Sequence, residues 1–291
     1  MSKNKKHAVG GVGEVLWDIF PDTKKLGGAP ANFAAHAQQL GTNSFLLSAV
    51  GKDPLGQKAI AHLQHLQVDT SGIQFNEDFA TGRVTVSLDP MGNPSYNIKE
   101  NVAWDHIEFD TNQKKITQGL DALCFGTLAQ RNSTSQNSIL KILKSTTPDC
   151  LRVFDVNFRQ DLYTAKMVEQ SLDLANAVKM NQDEFSAIAT MLYLSKNYEK
   201  GLQLLIQKFN LKFGIITLGE NGAVMANQDH FCFSSPNNAI NIKSTVGAGD
   251  AFTASAVKGW LDQKPLKQII KEASDLATYV CCHLEAVPKK I

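Results

Sequence analysis

Two periods of hydrophobic recurrence take turns along this chain. Short apolar runs with the two-residue repeat of strands give way to longer stretches with the helical repeat. "HAVGGVGEVLWDIF" (7–20) reads as extended. After a turn, "PANFAAHAQQLG" (30–41) reads as a helix, with Pro near its start and Gly at its end, the usual asymmetry. "SFLLSAVG" (44–51) is a short buried strand, and "GQKAIAHLQHL" (56–66) an amphipathic helix. Residues 81–104 alternate with period two around the turn "DPMGNP", a β-hairpin signal. No helix covers the other face of this hairpin, so it is expected to project from the body as a flap. The strand–helix rhythm returns with strands at 122–128, 151–157, 177–181 and 213–219. Two short strands (222–227 and 230–235) and two helices (249–261 and 266–283) close the chain. Strands alternating with helices predict an α/β fold with a mainly parallel sheet between helical layers, whose ligands bind at the carboxyl ends of the strands. Asn157, Asn181, Thr217 and the turn 246–250 fall at such ends.

Composition narrows the class. A chain of 291 residues with 43% hydrophobic positions can bury a large core in one or two domains. Its 29 basic and 28 acidic residues leave a net charge of +1. Lysines cluster only at the ends, 3–6 and 288–290, which read as solvated tails, so no nucleic-acid partner is expected. The five cysteines are odd in number and lack CxxC spacing, the pattern of free thiols in a reducing compartment. The seven histidines show no metal-ligand spacing. No apolar run approaches the ~18–20 residues of a membrane span, and no apolar segment of ~7–15 residues follows the basic start. A cytoplasmic protein without membrane contact is expected.

The chemistry gathers in "STVGAGDAF" (244–252). Gly247 and Gly249 permit backbone angles closed to other residues. A turn of this kind, followed by a helix, points N–H groups and a positive helix end at one place and so favours an anion. Asp250 in the first helical turn then has two readings. It is either a base that takes the proton of a hydroxyl attacking a phosphate, or an ordinary N-terminal capping residue. The short motif fits both. Two common nucleotide motifs are absent: "GKDPLGQK" (51–58) has the wrong order for a P-loop, and "GGVGEVL" (10–16) has Leu16 where a dinucleotide fingerprint requires glycine.

Six segments in order carry more than any one of them. "LGGAPANFAAHAQQLG" (26–41), "VGKDPLG" (50–56), "FDVNFR" (154–159), "KMNQDEF" (179–185), "ITLGENGA" (216–223) and "STVGAGDAF" (244–252) resemble the ribokinase-like, PfkB-type sugar kinases over nearly the whole chain. "ENVAWDHI" (100–107) and "DVNFRQDLY" (155–163) look most like the fructokinase branch. The resemblance implies a three-layer α/β/α body, one kinase domain over 1–291, with lid segments at about 14–25 and 81–104 forming a small β-sheet over the sugar. It implies transfer of the γ-phosphoryl of ATP to a sugar hydroxymethyl group. Asp250 maps to the family's general base, and Gly247, Ala248 and Gly249 to its anion hole. A kinase for ribose, a deoxy-sugar acid or a nucleoside, or a sugar- or nucleotide-sensing protein without chemistry, are the other readings.

The resemblance also assigns the remaining candidates. Asp18, a carboxylate in an apolar run, needs hydrogen-bond partners and maps to a sugar-hydroxyl ligand. Gly27, Gly28 and Asn32 allow backbone approach and two-way hydrogen bonding to the sugar, while also starting a helix. Arg159 suits a phosphate or a sugar oxygen, or a surface ion pair. Asn181 and Glu184 map to the pair that orders Mg²⁺ and the phosphates, with Glu184 acting through water; their spacing is equally that of a capping pair. Thr217, Gly219 and Gly222 map to the nucleotide site, or form a plain hairpin turn. Adenine is expected near 273–282. Two departures stand out: Ser244 replaces the family's usual Asp at a monovalent-cation site, and Glu285 stands where glycine is common. Strong potassium dependence is therefore not expected. The edge of the lid sheet is free to pair with a second copy, which leaves a homodimer open.

Overall fold

The run 7–20 is not one strand. In the computed structural model, which describes residues 6–88, 94–235 and 241–289, strand β1 (Ala8–Val12) stops at Gly13, whose φ is 143°. Strand β2 (Leu16–Ile19) then enters a different sheet. The period-two pattern continues across the break, because both segments are strands. The turn expected at 89–94 lies outside the described residues, save for Pro94.

The elements follow in order as β3 (Lys24–Gly27), α1 (Ala29–Gln39), β4 (Asn43–Gly51), α2 (Pro54–His65), β5 (Ile73–Asn76), β6 (Gly82–Leu88) and β7 (Pro94–Ile98). Then come α3 (Thr111–Thr117), β8 (Ala122–Phe125), α4 (Ser133–Ser145), β9 (Leu151–Asp155), α5 (Ala165–Leu174), β10 (Ala177–Asn181), α6 (Gln182–Met191) and α7 (Tyr198–Phe209). The chain closes with β11 (Phe213–Thr217), β12 (Ala223–Ala226), β13 (Phe231–Ser234), α8 (Ala248–Leu261) and α9 (Leu266–Cys281).

Among the described residues the large sheet runs β13-β12-β11-β10-β9-β8-β1-β4-β5. Every pairing from β11 to β5 is parallel, while β12 and β13 add an antiparallel edge. Helices cover both faces. Leu123 and Phe125 of β8 point into the core shared with α4, α5, α6 and α7, while Ala122 and Cys124 join Phe33 of α1, Phe252 of α8 and Ile269 of α9. Burial on both faces is why these strands read as continuous apolar runs. Strand order reverses around β1, and a crevice opens at such a switch point beyond the strand ends.

A separate sheet, β3-β2-β6-β7, is built from 16–27 and 82–98. The first segment is shifted two residues from the expected 14–25, and the second lies inside the expected 81–104. Val102, Ala103 and Trp104 belong to the main core, and Val15 is fully buried beside α1 and α2. Apolar residues at the end of an alternating stretch pack wherever volume is available, and the pattern alone does not reveal which sheet receives them. Where β7 rejoins the body, Arg131 makes a two-point ion pair with Asp105, at 2.8 and 2.7 Å. The same guanidinium lies 4.0 Å over the Trp104 ring and donates to the Lys99 carbonyl. The pair is almost entirely out of water, with side chains 7% and 2% exposed. Replacing one partner of such a pair strands the other charge. Arg131→Met is therefore expected to lower stability by about 3–5 kcal/mol, read as a shift in the urea midpoint.

Candidate active site

The crevice is formed by the carboxyl ends of β1, β9, β10 and β11, the start of α1 and the start of α8. Close backbone contact sets its shape. A methyl group on Gly11 would lie 2.5 Å from the Pro30 carbonyl, and one on Gly28 2.4 Å from the Glu14 carbonyl. The glycines of "GGVG" thus let helix α1 start hard against the end of β1. Gly28 caps α1 at φ 109°, with Pro30 in the first turn.

Helix α8 opens on Gly247, whose φ is 81°. A methyl group there would come within 2.3 Å of the Ala286 carbonyl, so the turn is wedged against the C-terminal segment. The same carbonyl accepts from His36 Nε2 at 2.9 Å, and burial pushes that imidazole down to about 4. His36 is an anchor for the C-terminal segment rather than an ordinary helix position. The Gly249 and Asp250 N–H groups, in the first turn of α8, have no partner within the helix, the Ala248 N–H donates to the Thr245 carbonyl at 3.3 Å, and the positive end of the helix dipole lies at this turn.

Asp250 sits in that first turn. Its Oδ2 accepts from Asn32 Nδ2 at 2.8 Å, which joins two candidates 218 positions apart. Burial, and secondly the charge of Asp155, push its carboxyl up to about 6, against the Asn32 hydrogen bond, Lys179 and Arg159. Asp18, on β2, has Oδ2 2.7 Å from the position of a Gly27 methyl, so a larger residue at 27 would push this carboxylate aside. Burial raises Asp18 to about 6 as well, with Arg159 and Lys25 pulling it down. Arg159 is exposed, and its charge reaches Glu14, Asp18 and Asp250 together. Of the sugar-site candidates, Asn32 touches Asp250 directly, Arg159 reaches both Asp18 and Asp250 through its charge, Gly27 lies against Asp18, and Gly28 lies against Glu14.

The nucleotide candidates lie along the neighbouring strand ends. Asn181 and Thr217 are paired in register across β10 and β11. Gly219 (φ 59°) and Gly222 (φ 96°) form the turn from β11 into β12, with open space beside Gly219. The segment is thus a turn between antiparallel strands, with the backbone at Gly219 left accessible. Asn181 and Glu184 form a capping box at the start of α6. Glu184 also accepts from the Phe158 N–H at 2.9 Å, which ties the loop after β9 to the end of β10. Both of its oxygens are engaged by backbone donors, at 2.9 and 2.8 Å. A second lone pair on each remains for water, but the carboxylate is poorly placed as a direct metal ligand. Among the described residues no three acidic, histidine or cysteine side chains cluster as a metal site.

The chain belongs to the pfkB family of carbohydrate kinases, whose family model matches residues 14–289. It is a phosphotransferase that acts on a sugar hydroxyl. An uncharacterized sugar kinase of Pyrococcus horikoshii, PH1459, is 32% identical over 257 residues, covering 86% of this chain and 78% of that protein. Its crystal structure in complex with ATP superposes with a TM-score of 0.82 over 96% of this chain and 94% of that one. A fructokinase of Salmonella typhimurium is 28% identical over 256 residues, covering 84% of this chain and 81% of that protein. A fructokinase with bound ATP from Xylella fastidiosa, 18% identical, shares the fold with a TM-score of 0.86 over 97% and 94% of the two chains. The body is thus ribokinase-like. No helix among the described residues is long and apolar enough to cross a membrane.

Sequence reading passed over four residues of this crevice: Glu14, Asp155, Lys179 and Thr253. The signal for Asp155 and Lys179 is present, since each is a charge inside an apolar strand, two positions before a candidate asparagine. Glu14 is 3% exposed and accepts from the Ala29 N–H at 3.2 Å. Burial lifts its carboxyl up to about 7, from 4.5, despite that bond and Arg159. The raised value means the unfolded chain releases this proton first, so Glu14 costs stability progressively as pH rises from about 4.5 through 7. Glu14→Gln keeps an acceptor but no charge. Thermal melts should show it gaining roughly 1–3 kcal/mol on the wild type between pH 5 and pH 8.

Proposed function

We propose that this protein transfers the γ-phosphoryl group of ATP to a sugar hydroxymethyl group, with fructose as the first acceptor to test. The observation that carries the mechanism is the placement of Asp250: in the first turn of α8, tied to Asn32 and beside the Gly247–Gly249 turn. A carboxylate with its proton affinity raised to about 6 is ionised at neutral pH, yet basic enough to accept a proton from a hydroxyl under attack. Such a base is worth ~10²–10⁴ in rate.

The hydroxyl is aimed by the sugar's other contacts. Asp18 and Asn32 hold neighbouring hydroxyls, Gly27 and Gly28 let the backbone come close, and Arg159 neutralises charge. As the proton moves to Asp250, the N–H groups of Gly247, Ala248 and Gly249 hold the transferring phosphoryl group; each such donor is worth about 2.7–4 kcal/mol. Asn181, Thr217, Gly219 and Gly222 line the path of the remaining phosphates and the ribose. Mg²⁺ bound with ATP would neutralise phosphate charge, and Glu184 would help to hold it through water. The small sheet of β3, β2, β6 and β7 acts as a lid that excludes water. Its open edges, β3 and β7, are where a second copy would add.

Fructose is favoured by several relatives named fructokinase, in Salmonella typhimurium, Klebsiella pneumoniae and Escherichia coli, at 28%, 26% and 25% identity. Ser244 Oγ accepts from the Val246 N–H at 3.2 Å, and the Lys243 and Ser244 N–H groups both turn to the Cys281 carbonyl. A neutral hydroxyl that already accepts one hydrogen bond is a weaker cation ligand than a carboxylate, so little dependence on potassium is expected.

An ADP-release assay against fructose, ribose, deoxy-sugar acids and nucleosides tests the substrate. The largest kcat/KM is expected with fructose, and a preference for another acceptor would reassign it. Binding without ADP release from any of them would identify a sensor. Asp250→Asn should lower kcat by ~10²–10⁴, with the sugar dissociation constant little changed. In the wild type, turnover should fall as pH drops below about 6, where Asp250 becomes protonated. Near-normal turnover by the Asn variant would remove the base.

A further inference from the structure

Behind the glycine turn lies a charged pair that the mechanism above does not use. Asp155 and Lys179 are partners in the parallel register of β9 and β10, both on the face that α8 covers. Lys179 Nζ donates to Asp155 Oδ1 at 3.0 Å, with the two side chains only 9% and 6% exposed. The other carboxylate oxygen, Oδ2, lies 2.7 Å from Thr253 Oγ1 on α8. That hydroxyl is also 3.0 Å from the Gly249 carbonyl, so its one proton is shared between them, with the carboxylate the stronger acceptor. Lys179 Nζ reaches to 3.1 Å from where a methyl on Gly249 would stand. The ammonium thus touches the turn from behind, with two donors left beyond its bond to Asp155.

A buried ion pair offers little net stability over apolar side chains of the same volume. Its position here gives it another use. We propose that Asp155, Lys179 and Thr253 form a brace that fixes the first turn of α8 and sets how readily Asp250 takes up a proton. The first part stands on geometry alone; the second deepens the kinase reading and rests on it where turnover is concerned. The charged and titratable groups facing Asp250 are Glu14 beyond β1, Asp155 on β9, Arg159 after β9, Lys179 on β10 and the Cys124 thiol on β8, with Asn32 of α1 as hydrogen-bond donor. Within this set the brace carries one charge of each sign. Asp155 disfavours a second negative charge at Asp250, and Lys179 favours it. The two act in opposition, which separates the brace from a merely structural pair.

The test follows the carboxyl titration of Asp250 in the ligand-free protein by carbon-13 NMR with labelled aspartate. Asp155→Asn should move the Asp250 midpoint down, and Lys179→Met should move it up by about one pH unit. Loosening of the site would instead admit water and lower the midpoint in both variants, so an unchanged or lowered midpoint in Lys179→Met overturns the proposal. If Lys179→Met alone does not fold, because it strands Asp155, the comparison is made between Asp155→Asn and Asp155→Asn/Lys179→Met. The added Lys179→Met must again raise the midpoint. These measurements need no sugar and no ATP, so they hold even if the wild type shows no turnover and the kinase reading fails. Where turnover is present, Thr253→Val strips no charge and should lower kcat by roughly ten- to a hundredfold with KM for the sugar unchanged. Thr253→Ser should restore it. Equal rates in Thr253→Val and the wild type would overturn the positioning half.

Discussion

A carboxylate withdrawn from water is costly unless other groups share its charge, and this protein withdraws several: Glu14, Asp155 and Glu184 are buried, and Asp18 and Asp250 half-buried. Glu14, Asp18 and Asp250 have their proton affinity raised mainly by burial. The rest of the site can be read as the means of tolerating them. Arg159 spreads its charge over three acids, Lys179 neutralises Asp155, and Asn32 donates to Asp250. The result is a carboxylate that is charged at neutral pH but still willing to take a proton, which is the property a phosphoryl transfer from ATP to an alcohol requires.

Rigid backbone contact makes this tolerance dependable. The Gly247 turn leans on Ala286, which His36 holds from the other side; Gly28 leans on Glu14, whose side chain in turn caps the start of α1. Each contact involves a glycine with no room for a methyl group. Helices α1 and α8 thereby bring Asn32 to Asp250 although the two are far apart in sequence. The same economy explains Glu184, whose two oxygens bind two backbone segments into one wall of the crevice.

The small sheet is joined to the body by a different device. Its strands are thin and open-edged, but at its base Arg131 and Asp105 are locked together under Trp104. A thin sheet gains a firm attachment from a buried two-point pair without enlarging the apolar core.

Much of this was legible in the linear pattern. Strand–helix alternation, apolar runs buried on both faces, the hairpin of 81–104 and the helix opening at Gly247 follow from local chemistry, and local chemistry is what sequence periodicity records. Asn32, Asn181, Thr217 and Asp250 could be picked out from the sequence as polar residues at strand ends and helix starts, places that local pattern records. What the chain did not reveal is where its segments go after each turn. One extended run was divided between two sheets at Gly13, and Trp104 left the hairpin for the core. Asp155 and Lys179 looked like isolated charges until register placed them side by side. The sequence by itself determined the elements and the chemical groups they carry. The tertiary structure alone decided which groups share a desolvated space, because burial and electrostatic coupling depend on distances between residues that the chain keeps tens or hundreds of positions apart.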